Sequence, residues 1–144
     1  MKLFAAIVKE YIINKRKREE QIKRRGLKPM NTLLTKENLK TLYKALIKLP
    51  PFDQLQMPEA HRVEFKVIRD PAVYGLFEPD PNTISVSSGR CSHFDTIIKT
   101  LIHEMVHLYC YHTKEDNYEE HSNAKFKRVI KQVATLYGFD PKEL

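Results

Sequence analysis

His103-Glu104-Met105-Val106-His107 lies inside a longer apolar-periodic run from about Phe94 to Tyr111. Phe94, Ile97, Ile98, Leu101, Ile102, Met105, Val106 and Tyr109 recur at three- and four-residue steps, the spacing of a helix face. That face is broad, so the spacing predicts a deeply buried helix. Residues four apart on a helix are separated by one turn and a small rotation. His103 and His107 therefore project from one side, one above the other. Two neutral imidazole nitrogens so placed can reach one zinc ion at about 2.0–2.1 Å. Glu104 sits beside the first ligand and can face a water at the metal, where its carboxylate can accept a proton. H-E-x-x-H in this setting reads as two metal ligands and a general base, the pattern of a zinc-dependent peptidase. The competing reading is a helix with two partly exposed histidines and a solvated glutamate.

A catalytic zinc takes three protein ligands and keeps one position open for water. The chain has four further histidines: His61, His93, His112 and His121. His112 lies on the same helix, rotated about 140° from His107, and cannot share its metal. His93 is at the helix start, about 15 Å from His103 along the axis. His61 sits at the edge of an expected strand and reads as a surface histidine. His121 follows a loop long enough to reverse the chain, so a helix returning antiparallel can bring it to the open face. Glu119 and Glu120 are alternatives, because sites with two histidines and a glutamate exist. The metzincin pattern is absent, since Cys110 and Thr113 stand where it requires Gly and His.

Upstream of the helix, Ser92 is the expected cap, with Asp95 three positions later in a capping-box arrangement. Before it come three short alternating runs: His61–Ile68, with Val63, Phe65 and Val67 inward; Val73–Phe77; and Thr83–Ser87, with Ile84 and Val86 inward. Gly75 marks a bulge or a close backbone approach. Turn residues separate the runs and no helix intervenes, so an antiparallel meander is expected. An earlier helix is capped by Thr35, carries Leu39, Leu42, Tyr43, Leu46 and Ile47 on one face, and ends at Pro50-Pro51. Residues 52–60 read as a loop, and so does the polar, acidic stretch from His112 to Glu120. A last helix is expected over Ser122–Tyr137, with Gly138 ending it and Pro141 preventing its resumption. The fold class is α+β: one domain with a small antiparallel three-stranded sheet packed against the histidine helix and flanking helices.

Length and composition suit this. The chain has 144 residues, enough for one hydrophobic core, and 42% of them are apolar. Its two cysteines, Cys91 and Cys110, form no C-x-x-C pair, which excludes a disulfide framework and a cysteine-built zinc ribbon. Lys9 and Glu10 interrupt the only apolar run near the start, so no secretory signal is expected. No run approaches the roughly 18 residues of a membrane span. A cytoplasmic protein without membrane contact is the expectation. The net charge of +7 is unevenly placed. Residues 1–30 hold ten Lys/Arg and three Glu, whereas residues 31–144 hold fifteen of each sign. Residues 3–25 read as a helix with Leu3, Phe4, Ile7, Val8, Tyr11 and Ile12 in periodic positions, followed by an almost wholly charged half. Residues 1–30 thus form a basic arm, with DNA phosphates as candidate partners, and residues 31–144 form the domain with the histidines. A solvated helix face is the alternative for the arm.

The chain resembles the SprT-like family of zinc metallopeptidases, which includes Spartan. The resemblance covers roughly residues 33–139. It rests on a helix, strands with Tyr74-Gly75 and Thr83-Ile84-Ser85-Val86, the run Leu101-Ile102-His103-Glu104-Met105-Val106-His107, and His121 leading into a helix containing Phe126. It implies a zincin-like fold, Zn²⁺ held by His103, His107 and His121, and Glu104 as catalytic glutamate. Family members commonly carry Gly after the third histidine and an aromatic four residues beyond it; here Ser122 follows and Phe126 lies five residues on. The basic arm stands outside the shared pattern. The family further implies hydrolysis of peptide bonds in a protein or peptide substrate. Its best-understood members cleave proteins bound or crosslinked to DNA. In zincins an edge strand beside the active-site helix can hold an extended peptide by strand addition, and the alternation leaves all three strands as candidates. Tyr118 and Tyr109 are candidates for stabilising an oxyanion. The alternative function is a nucleic-acid-binding module with a degenerate or structural zinc site, the latter requiring a fourth protein ligand.

Overall fold

The computed structural model describes residues 2–24, 34–91 and 93–144. Contacts divide the chain into two compact units, Met1–Thr32 and Leu33–Leu144. The first is the helix α1 (Lys2–Arg24). Its Phe4, Ile7, Val8 and Tyr11 are half-buried and its Arg16, Lys17 and Arg18 are exposed. The expected breakers Gly26 and Pro29 lie outside the described residues.

In the second unit, helix α2 (Lys36–Leu46) begins where Thr35 Oγ1 accepts the Asn38 N–H at 3.1 Å, as the cap signal predicts. Leu39, Leu42, Tyr43 and Leu46 are buried along one face. The Tyr43 ring meets Phe65 at 5.3 Å between centroids, and its hydroxyl donates to the Pro58 carbonyl at 2.6 Å. The stretch between α2 and the sheet contains two short 3-10 turns, Phe52–Gln54 and Ala60–Arg62. His61 therefore belongs to a turn before the sheet, because strand pairing starts only at Glu64.

The strands are β1 (Glu64–Ile68), β2 (Gly75–Glu78) and β3 (Thr83–Ser87). The sheet is mixed, which corrects the expected antiparallel meander. Its order is β1-β3-β2, with β1 parallel and β2 antiparallel to β3. All five residues of β3 are buried, so β3 takes the centre, and the more exposed β1 and β2 take the edges; Val67, expected inward on β1, is 38% exposed on this edge strand. A parallel pair needs a crossover of about a dozen residues or more. Residues 69–82 supply it, with β2 folded inside the connection as half of a hairpin. Asp80 turns that hairpin at φ 54, a left-handed conformation that Asp tolerates. The link out of β1 is tied to the end of β3: the Ser87 hydroxyl donates to the Asp70 carbonyl, and the Ser88 N–H to the Ile68 carbonyl at 2.8 Å.

Helix α3 (Phe94–His112) packs against β2, β3 and the final helix α4 (Ala124–Tyr137). Leu101, Ile102, Met105, Val106, Leu108 and Cys110 of α3 are wholly buried, so this helix is the centre of the core. Its N-cap is His93, which makes no side-chain cap bond, and the Ser92 expected in that role lies outside the described residues. The Asp95 carboxylate instead pairs with Lys99 at 2.9 Å, one turn along. Helix α4 starts at Ala124, two residues later than expected, because Asn123 is its cap. It ends where Gly138 adopts φ 77, the left-handed geometry that suits glycine after a helix. No described helix is long and apolar enough to cross a membrane.

Candidate metal centre

His103 and His107 occupy successive turns of α3, and the loop from α3 to α4 brings His121 against them. The three Nε2 atoms converge. His103 Nε2 lies 3.1 Å from His107 Nε2 and 3.1 Å from His121 Nε2. Among the described residues, this trio is the group of metal-ligating side chains whose donor atoms come together. His112 and His93 sit exposed at the two ends of α3, and His61 is exposed on its turn.

Hydrogen bonds on the far sides of the rings decide which nitrogens face one another. His107 Nδ1 lies 2.8 Å from the Tyr118 carbonyl. A carbonyl only accepts, so Nδ1 carries the proton and Nε2 presents a lone pair. The Leu144 backbone, an acceptor beside His103, favours protonation of its ring. With His103 Nε2 also unprotonated, two lone pairs 3.1 Å apart would repel unless a cation stood between them. Tetrahedral zinc with Zn–N near 2.0–2.1 Å sets its ligands about 3.3 Å apart. The donor set therefore fits a zinc-like ion.

Electrostatics point the same way. Burial, and then the neighbouring His107 and His121, hold His103 down to about 4. Burial likewise lowers His107. Both rings are thus neutral at physiological pH, the form that binds a metal. Phe126 lies beneath all three imidazoles, with centroid distances of 5.2 Å to His103, 4.6 Å to His107 and 5.3 Å to His121. In the sequence, the resemblance marks Phe126 as the aromatic that follows the third histidine, one residue later than is common. Its position five residues beyond His121 still brings it under the site, because α4 starts late.

Glu104 is 6% exposed and points toward β2. Burial pushes its carboxyl up to about 8, and the Phe77 backbone N–H, which donates to it, opposes that rise. Gly75 permits this close approach of strand to helix. A Cβ there would stand 2.7 Å from Thr100 Cγ2, 2.9 Å from the Ser85 carbonyl oxygen and 3.1 Å from Glu104 Cγ. Gly75→Ala must push β2 away from both β3 and α3. We expect it to lower stability by about 1–3 kcal/mol, read as an earlier midpoint in urea denaturation. An unchanged midpoint would mean that the space is not limiting.

These groups line a cleft of about 920 Å³ that runs past Tyr74, Gly75, Glu104 and the three histidines. Tyr118 is on its wall, with its hydroxyl donating to Glu119 Oε1 at 3.0 Å. Tyr109 is not on the cleft; it is buried near α4, with Lys125 Nζ 5.7 Å from its ring. Glu120, the other candidate ligand, accepts from the Ser122 hydroxyl at 3.3 Å.

A family model described as the SprT-like family matches residues 4–143. No curated protein and no solved structure matches the chain. The match takes in α1, so the shared pattern is not confined to residues 33–139 and the basic arm lies within it.

Proposed function

The chain belongs to the SprT-like family, and from that premise we propose that it is a zinc-dependent metallopeptidase that hydrolyses peptide bonds. The observation that carries this reading is the convergence of His103, His107 and His121 beside the buried Glu104 carboxyl. Three protein ligands are the number found in catalytic zinc sites, which leave a position for water. Bound zinc would supply Lewis acidity toward a scissile carbonyl and would lower the pKa of a water toward about 7. Beside the charge of the bound ion the Glu104 carboxyl would return to its ionised form, in which it takes the proton of the attacking water and delivers it to the leaving amine. Its carboxyl is dry and held by the Phe77 N–H, so it is aimed before substrate arrives. Tyr118, on the cleft wall, is the candidate donor toward an oxyanion.

β2 is the strand suited to hold an extended substrate. Tyr74 and Ser87 form a hydrogen-bonded pair, with the Ser87 N–H reaching the Tyr74 carbonyl at 2.8 Å. Alternation along an antiparallel ladder then turns the backbone groups of Gly75 and Phe77 away from β3. The Phe77 N–H is engaged by Glu104, which leaves its carbonyl and both Gly75 groups for a peptide laid along this edge. The test of the function is zinc-dependent cleavage of an unfolded protein, lost on chelation and restored by zinc. Bound zinc with no cleavage of any such substrate would favour a binding module instead.

A narrower reading makes the substrate a DNA-associated protein, and the basic α1 favours it. We expect the chain with its α1 in place to bind DNA with an affinity that falls as salt rises. Lys15, Arg16, Lys17 and Arg18 replaced by Gln would flatten the slope of log affinity against log salt by up to about 3.6. The same slope in that variant would remove α1 from DNA contact.

A further inference from the structure

We propose that Asn123 is a positioning residue of the metal centre: its side-chain amide clamps the loop between α3 and α4 so that Tyr118 and His121 meet α3 correctly. This rests on the zinc-site reading above. The loop has two tasks at once. Its Tyr118 carbonyl fixes the His107 ring, and its His121 completes the ligand set. Yet most of its residues are exposed, and Lys114 takes the left-handed φ of 60. Tyr118 rests its ring against Tyr111 at 5.0 Å and Phe77 at 6.1 Å between centroids, but the rest of the loop has little apolar burial to hold it, so polar contacts supply the remainder.

Asn123 is 3% exposed and uses every hydrogen-bonding position its amide has. Its Oδ1 accepts the Lys125 N–H at 2.8 Å and the Phe126 N–H at 3.1 Å, capping α4. Its Nδ2 donates to Asn117 Oδ1 at 2.6 Å and Glu115 Oε2 at 3.3 Å. Asn117 immediately precedes Tyr118, and Phe126 is the ring beneath the imidazoles. One planar group therefore joins the floor of the site to the strand of loop that orients His107. Lys125 braces the same loop from outside, reaching Glu115 Oε1 at 2.7 Å and Thr113 Oγ1 at 3.0 Å. Ser, Thr or Asp can cap a helix equally well. Only an amide of this length caps with its oxygen and donates twice with its nitrogen, so the cap alone does not account for Asn at this position.

The test separates the two roles. Asn123→Asp retains the capping oxygen and loses both donors, and Asn117→Ala removes an acceptor at an exposed position without touching the cap. Zinc affinity is measured by competition with a chromophoric chelator. The visible spectrum of the cobalt-substituted protein and the thermal melt of the metal-free protein are recorded alongside. Loss of a group that orients a metal ligand weakens affinity by about 10–100-fold. Asn123→Asp is expected in that range with an altered cobalt spectrum, and Asn117→Ala is expected to weaken binding less in the same direction. Zinc affinity and cobalt spectrum equal to wild type in both variants, even with a lowered melt, would overturn the proposal and leave Asn123 a helix cap. If Asn123→Asp does not fold, Asn117→Ala decides alone by the same criteria. Wild-type protein that binds no zinc would overturn the metal reading and this inference together, which is a different result from tight wild-type binding with unaffected variants.

Discussion

Glu104→Gln is expected to bind zinc as wild type does and to lose hydrolysis by about 10²–10⁴-fold, the contribution typical of a positioned acid–base group. Gln has the same shape and keeps an oxygen to accept the Phe77 N–H, so β2 stays where it is. The three imidazoles are untouched. What disappears is the ability to accept a proton from water and return it to the amine. Zinc content and cleavage of an unfolded protein, measured on the same preparation, check this. Full activity in the variant would remove Glu104 from the chemistry. A second readout follows from burial. The metal-free Glu104 carboxyl is held up at about 8, above its unfolded value. Its contribution to stability is thus fully present below about pH 4 and is lost as pH rises through about 8. Gln has no such titration, so the metal-free variant should lose less stability than wild type across that window.

His121→Ala is expected to weaken zinc binding by more than about 100-fold, since losing a direct ligand should exceed the 10–100-fold effect of losing a group that only orients one. Cleavage should fall with it at limiting zinc. His121 is exposed, so the truncation opens no cavity and the fold should persist. Glu119→Gln and Glu120→Gln are the controls. The first carboxylate accepts from Tyr118 and the second from Ser122, and neither joins the converging nitrogens. Both variants should bind zinc normally. Unchanged affinity in His121→Ala together with loss in Glu119→Gln would transfer the third ligand to Glu119.

Local patterns carried much of this molecule. The three-and-four spacing around His103 predicts α3 because a helix buried on most sides must be apolar at those steps. Thr35 and Gly138 mark helix ends because orphaned backbone groups and a left-handed turn demand such residues. The H-E-x-x-H spacing places His103 and His107 on one face by helical geometry alone. Strand order escaped that kind of reading. Alternation shows which side of a strand is buried, but not which neighbour it pairs with, and β2 folds inside the connection that makes β1 and β3 parallel.

The sequence by itself determined the helices, the α+β class, the paired histidines with their glutamate, and the concentration of positive charge in the first thirty residues. All of these follow from periodicity, end signals or counting, which act over a few residues. Only the tertiary structure decided the rest: the mixed sheet, the meeting of His121, which the resemblance had implied as third ligand, with His103 and His107, Phe126 beneath the rings, the Phe77 N–H on Glu104, and the hydrogen bonds of Asn123. Each depends on where the loop after α3 and the hairpin of β2 and β3 return in space. That return is set by packing and hydrogen bonds between residues distant in the chain, for which no local spacing provides a signal.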